Sequence, residues 1–313
     1  MIRMLLRLAA LVAAIAVVAI GVLARDGFRR WPTAQYEAPP ASARGWDDVL
    51  AHPAPIDVET LITGFIDMNR CDNLDPASPL TASCSTPAPL QDLAHLVRHR
   101  LRGDFLIDTG LSARFADAPP YGDYSLAMQL FNRALGVRNG QERGRDVAAI
   151  LSRRAVHPRA AFFTHLHPDH TSGAVDLPAD IDYVFGAGED GFLGRVAVGS
   201  HFAGKRLKTL NYDRASAMPP LGRSIDLLGD GSLWAIATPG HTPGHTSYLV
   251  NGERPTLIVG DASHFAWAFE HDVPPRAMTR ADAARAAVSL AELRQFAARY
   301  PRVRLVFGHE IVR

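Results

Sequence analysis

The chain has 313 residues, 47% of them apolar and 21% charged, which suffices for a large core and excludes extended disorder. Lys plus Arg (33) nearly balances Asp plus Glu (32), and no clustered basic surplus points to a nucleic-acid partner.

In chain order, the first feature is an uncharged apolar run from Leu8 to Ala24, preceded by Arg3 and Arg7 and followed by Arg25, Arg29 and Arg30. Its length is at the short limit for a membrane-spanning helix and suits the core of a signal peptide. Val22 and Ala24 put small residues where a signal peptidase reads. Residues 1–30 therefore read as a signal peptide or a membrane anchor. Both place the remainder outside the cytoplasm: periplasmic, secreted, or held at the membrane by this segment. Residues 31–55 are rich in Pro and Ala and read as a spacer. Cys71 and Cys84 flank a loop-like stretch, where export permits a disulfide; two free thiols are the alternative.

Strand-length apolar runs follow: Phe105–Asp108, Ala160–Thr164, Tyr183–Phe185, Leu233–Ala237, Tyr248–Val250, Thr256–Val259 and Arg304–Phe307. Between them Asp146 is placed to cap a helix running to about Arg154. Thr279 and Asp282 resemble a capping box for a helix ending near Tyr300, with Ala286, Leu290, Leu293 and Ala297 on one face. Strands mixed with helices predict an α/β or α+β architecture. Residues 111–143 are the least constrained insertion. Their Phe115, Tyr121, Tyr124, Met128, Leu130 and Phe131 suit either a wall for an acyl chain or ordinary core.

The chemistry concentrates after the Ala160–Thr164 run, in His165-Leu-His167-Pro-Asp169-His170. Imidazoles and a carboxylate at this density are a donor set for first-row metal ions. The string resembles the signature loop of the metallo-β-lactamase superfamily. The resemblance implies further ligands in a set order, and the chain supplies Thr238-Pro-Gly-His241, then Ile258-Val-Gly-Asp261, then Phe307-Gly-His309. Each arrives after an apolar run.

Carried over position by position, the resemblance implies that His165, His167 and His241 hold one metal and that Asp169, His170 and His309 hold another. Asp261 bridges the two. Asp108 would orient the ligand loops, its alternative being a turn-forming Asp before Thr-Gly. His245 would be a structural partner rather than a ligand. The implied cofactor is two zinc ions per chain, with iron, manganese or cobalt able to take the same donors. The implied fold is the αββα sandwich, two mixed sheets flanked by helices, over residues 56–313. The implied reaction is hydrolysis by a hydroxide bridging two cations, with Asp169 relaying a proton to the leaving group.

Within the superfamily, the C-terminal third resembles the N-acyl homoserine lactonases. The residues that carry this likeness are Thr238-Pro-Gly-His-Thr-Pro-Gly-His245, Gly260-Asp-Ala-Ser263, Asp272-Val-Pro274, Ser289-Leu-x-x-Leu293 and Phe307-Gly-His-Glu-Ile311. That family has a substrate-contacting tyrosine three residues after the bridging aspartate, whereas this chain has His264. His264 is expected to donate to a carbonyl or assist proton transfer, or else to be a loop residue beside the site. The expected substrate is a small lactone or ester. A thioesterase like glyoxalase II, a phosphoesterase, an iron-dependent sulfur dioxygenase and a non-catalytic binding protein are the competing readings. The remaining histidines (His52, His95, His99, His157, His201 and His271) carry no motif and are expected in solvated or core roles.

Overall fold

The structure is a computed structural model and describes residues 20–41, 43–84 and 89–311. Most of the expected signal peptide or anchor lies outside the described residues. Among those described, no helix is long and apolar enough to cross a membrane.

The strands in chain order begin with β1 (Thr33–Gln35), β2 (Ile56–Asp67), β3 (Leu90–His99), β4 (Gly103–Thr109) and β5 (Arg138–Gly140). They continue with β6 (Ala160–Phe162), β7 (Asp182–Gly186), β8 (Arg206–Leu210), β9 (Ser216–Met218) and β10 (Leu221–Asp226). The last four are β11 (Leu233–Ala237), β12 (Thr246–Val250), β13 (Thr256–Gly260) and β14 (Arg304–Phe307). One sheet of eight runs β1-β8-β7-β6-β4-β3-β2-β5, and one of six runs β14-β13-β12-β11-β10-β9. Both are mixed: β4, β6, β7 and β8 are parallel neighbours, as are β13 and β14, while β2, β3 and β4 pair antiparallel.

Successive side chains on a strand point to opposite faces, and here both faces are buried. Phe105, Ile107, Phe162, Leu233, Ala235, Tyr248 and Ile258 meet between the sheets. Their sequence neighbours face outward. Leu106, Ala161 and Phe163 pack with Val147, Ile150 and Leu151. Trp234, Ile236, Leu249 and Leu257 pack with Leu290, Leu293 and Phe296. The result is helix, sheet, sheet, helix, the sandwich that the resemblance implied.

The expected caps are present. Asp146 accepts from Ala149 N at 2.7 Å and opens the helix Val147–Arg153. Thr279 accepts from Asp282 N at 3.1 Å and opens the helix Arg280–Arg299. Cys71 and Cys84 are joined as a disulfide.

Residues 31–55, read as a spacer from their Pro and Ala content, are instead packed into the body. β1 adds a parallel edge to β8, and Trp46, 1% exposed, sits against Trp234 and Phe296. One buried indole outweighs a proline-rich composition, because burying an aromatic of this size contributes roughly 1.5–3 kcal/mol. The long strands β2 and β3 did not stand out in the sequence. On β2, polar residues such as Asp57 and Glu59 interrupt the apolar signal.

Candidate metal centre

The candidate ligands sit where β4, β6, β11, β13 and β14 end, at one rim of the sandwich. Asp108, buried at the end of β4 in left-handed backbone geometry (φ 55°), organises the rim. Its Oδ1 accepts from Thr164 N at 2.8 Å and its Oδ2 from Thr164 Oγ1 at 2.7 Å. Oδ2 also accepts from His170 Nδ1 at 2.8 Å. Because the Thr164 hydroxyl hydrogen is directed at Asp108, its oxygen is left to accept from His165 Nδ1, 3.1 Å away. Asp108 and Thr164 together fix the Nδ1–H tautomer of both His165 and His170, leaving each Nε2 with a free lone pair. Regular pairing of β6 stops at Phe162, and Thr164 turns to Asp108 instead.

His309 is held in the same way. Its Nδ1 donates to Gln91 O at 2.8 Å, and its Nε2 faces Asp261 Oδ2 at 3.3 Å and Asp169 Oδ2 at 3.5 Å. Asp261 lies at the centre. Its Oδ2 is 3.6 Å from His165 Nε2 and 3.4 Å from His241 Nε2, and its Oδ1 is 3.5 Å from His170 Nε2. His167 Nδ1 faces His241 Nε2 at 3.0 Å.

Two close approaches make this packing possible. A Cβ on Gly308 would lie 1.9 Å from Asp261 Oδ1, so glycine lets the chain leaving β14 approach the carboxylate this closely. A Cβ on Gly240 (φ 147°) would lie 2.3 Å from the backbone of Ala286, so glycine also brings the His241 loop onto the long helix. Ser289 secures that contact by donating to Pro239 O at 2.8 Å.

The donor atoms form overlapping groups. His165, His167, His241 and Asp261 make one, Asp169, His170 and His309 a second, and Asp261, His264 and His309 a third. His165 Nε2, His170 Nε2 and Asp261 Oδ1 are buried without a hydrogen-bond partner. Buried polar atoms are normally paired, so bare lone pairs converging from several strand ends fit cations. All seven residues anticipated as ligands are brought together.

The titration pattern follows from the same geometry. Burial, reinforced by neighbouring imidazoles, holds His165 and His241 well below the usual histidine range, and burial lowers His167. Burial also pulls on His170 and His309, but the carboxylates prevail: Asp261, Asp108 and Asp169 hold His170 well above the usual range, and Asp261 and Asp169 push His309 up to about 9. Burial opposes ionisation of Asp261, and His309, His264 and His170 overcome it, keeping its carboxyl well below the usual range.

His245 is linked to Thr238 through Nδ1 at 2.9 Å and belongs to none of the donor groups, although it is fully buried. His264 is drawn in. Its Nε2 is 3.3 Å from Asp261 Oδ2, and its ring stacks on His309 with 13° between planes. Of the other histidines, His95, His99 and His201 are buried and His52, His157 and His271 are exposed.

Two carboxyls that no motif marked also bear on the rim. Glu189 Oε2 accepts from Leu166 N and its Oε1 from Gly244 N, each at 2.8 Å, tying the His165–His170 loop to the His241 turn. Asp92 on β3 is buried with both side-chain oxygens unpartnered, and burial, then the charge of Asp169, raises its pKa well above normal.

A family model described as the metallo-beta-lactamase superfamily matches residues 88–309. The chain is 37% identical over 86 residues to a hydroxyacylglutathione hydrolase of Acidiphilium cryptum, covering 28% of each chain. It is 30% identical over 156 residues to an N-acyl homoserine lactonase of Agrobacterium fabrum, covering 47% of this chain and 56% of that one. It is 26% identical over 231 residues to a gamma-lactamase of Fusarium pseudograminearum, covering 69% of this chain and 51% of that one. The matches thus span about half the length of the last two relatives and less of the first. A solved structure of a quorum-quenching N-acyl homoserine lactone hydrolase superposes with a TM-score of 0.60, covering 83% of this chain and 95% of that one. At 17% identity that likeness speaks for the fold alone.

Proposed function

Because the chain belongs to the metallo-beta-lactamase superfamily, we propose that it is a metal-dependent hydrolase that opens a lactone or related ester. The observation that carries this reading is Asp261, whose carboxylate lies among imidazoles of two donor groups whose bare nitrogens converge. In this proposal His165, His167 and His241 would hold one zinc and Asp169, His170 and His309 a second, with Asp261 available to both groups. Such a pair of ions acidifies a water and polarises a carbonyl at neutral pH.

The chain's own groups divide the remaining work. Asp108 and Thr164 keep two imidazoles in the tautomer that presents Nε2 to the ions. Asp169 has a side chain 16% exposed where Asp261 has 3%, so it faces both site and solvent and suits transfer of a proton to the leaving oxygen. His264 acts through Asp261, whose carboxylate it steadies. The lactonase and lactamase relatives support a cyclic ester or amide as substrate, and N-acyl homoserine lactones are the first compounds to try. Thioesters come next, from the hydroxyacylglutathione hydrolase match. Residues 1–30 export the chain, cleaved or retained as an anchor, and the hydrolase body acts outside the cytoplasm.

The test is a panel of lactones, thioesters, phosphoesters and β-lactams presented to purified protein with and without a chelator. Chelator-sensitive opening of a lactone is the expected result. Cleavage of another ester class with inert lactones would replace the substrate and keep the metal hydrolase; redox-active iron with no hydrolysis would replace the reaction.

A further inference from the structure

The helix Leu126–Leu135 turns its apolar side outward. Leu126, Leu130 and Ala134 recur every four residues with Phe131 and Leu135 beside them, all exposed, while Asn132 is buried toward the body. A surface helix ordinarily presents the reverse pattern. The neighbouring helix Phe192–Val198 touches it and exposes Phe192 and Leu193. Phe28, 74% exposed, packs edge-on against Phe192 with ring centroids 5.0 Å apart, and Arg195 Nε donates to Gly27 O at 2.9 Å. These three pieces lie in contact with one another and together expose Phe28, Leu126, Leu130, Phe131, Leu135, Phe192 and Leu193, a grouping of large apolar side chains of the kind found at interaction sites.

Three cations lie at its Phe28 edge. Arg25, Arg29 and Arg30 are exposed, whereas Asp26 among them is buried and paired with Arg29 at 3.0 Å. The apolar run Leu8–Ala24 leads directly into this turn. The surface also adjoins the candidate centre. Ser125 caps the apolar helix at Met128 N (3.2 Å), and the preceding Asp123 accepts from Ser172 Oγ at 2.7 Å, two residues after His170.

We propose that this surface seats the body on a bilayer bearing anionic headgroups. Its leucines and phenylalanines enter the acyl boundary while the arginines meet lipid phosphates. Taken with the hydrolase reading above, on which this consequence rests, the docked body would draw a lipophilic lactone or ester from the membrane rather than from water.

The full chain, reconstituted in vesicles, tests this through a fluorophore on Leu130→Cys. The chain's own cysteines, Cys71 and Cys84, are both in the disulfide, so only the introduced thiol reacts. Leu101→Cys, 81% exposed in the β3–β4 turn at the opposite end of β4 from the candidate centre, is the control. Lipids brominated in their acyl chains should quench the label at position 130 and spare the one at position 101. Quenching should be stronger with phosphatidylglycerol present than in phosphatidylcholine alone, and Leu130→Cys combined with Leu126→Glu and Leu135→Glu should lose it. Vesicle-bound protein with equal brightness at both positions overturns the proposal. So does a label shielded by a second copy, seen as a dimer on sedimentation without quenching. Fluorescence is read without turnover, so failure here leaves the hydrolase reading intact, and absent hydrolysis leaves the docking result intact.

Discussion

Thr164 donates its hydroxyl hydrogen to Asp108 Oδ2 over 2.7 Å, and the two partners of this contact each hold one candidate ligand. The oxygen then accepts from His165, while the same carboxylate oxygen holds His170 at 2.8 Å. Thr164→Val keeps the shape and removes the acceptor. Metal affinity should fall about 10- to 100-fold, the usual cost of losing a group that orients a ligand, and Thr164→Ser should restore it. Zinc competition titrations on the three proteins read this directly; unchanged affinity in the valine variant would remove the orienting role.

Gly308→Ala places a methyl where Asp261 Oδ1 now lies, 1.9 Å from the ideal Cβ. Either the turn after β14 or the buried Asp261 carboxylate must shift, so the expected outcome is a chain that folds with reduced stability, by about 1–3 kcal/mol, and binds less than its full complement of metal. Elemental analysis and a denaturant melt on the same sample separate the two effects.

The pH behaviour of the metal-free protein follows from His309, raised to about 9 by Asp261 and Asp169 against the pull of burial. A raised folded-state pKa gives stability that is complete below the ordinary value of about 6.5 and lost as pH climbs through 9. Metal-free protein should therefore lose this contribution between those limits, and loading with zinc near neutral pH should release protons, since a ligating imidazole must be neutral. Thermal melts across the range and proton release in weak buffer check both statements.

Removing the disulfide with Cys71→Ser and Cys84→Ser opens a loop with a sequence separation of 13. A loss of about 3 kcal/mol is expected from loop closure of that length. A denaturant melt of the double variant against the oxidised parent measures it.

The candidate ligand set was legible in the sequence because each of its parts is a short motif. His165 to His170 lie on one loop, and Asp261 and His309 each follow an apolar strand. The caps at Asp146 and Thr279 are equally short-range. What was not legible depends on partners far along the chain. Glu189 acts only because Leu166 and Gly244 converge on it, and Trp46 converts a proline-rich stretch into core only because Trp234 is there to receive it. From the sequence His264 is expected to donate to a carbonyl, to assist proton transfer or to be a loop residue beside the site; its stacking on His309 and the turn of its Nε2 to Asp261 depend on folding and are not readable from its position. Leu130 and Phe131 read as core or as a wall for an acyl chain, yet the helix Leu126–Leu135 turns both outward, while Phe115 and Tyr124 are core: apolar content and periodicity do not give the side a stripe faces.

The most direct test of the central claim is a zinc titration of chelator-stripped, folded protein, following bound metal and lactone or ester hydrolysis together. The expected result is uptake of two ions per chain, hydrolysis that appears with them, and loss of hydrolysis by about 10²-fold or more in Asp261→Ala. Folded protein that takes up no metal, or that hydrolyses its substrate equally well without it, would contradict the account.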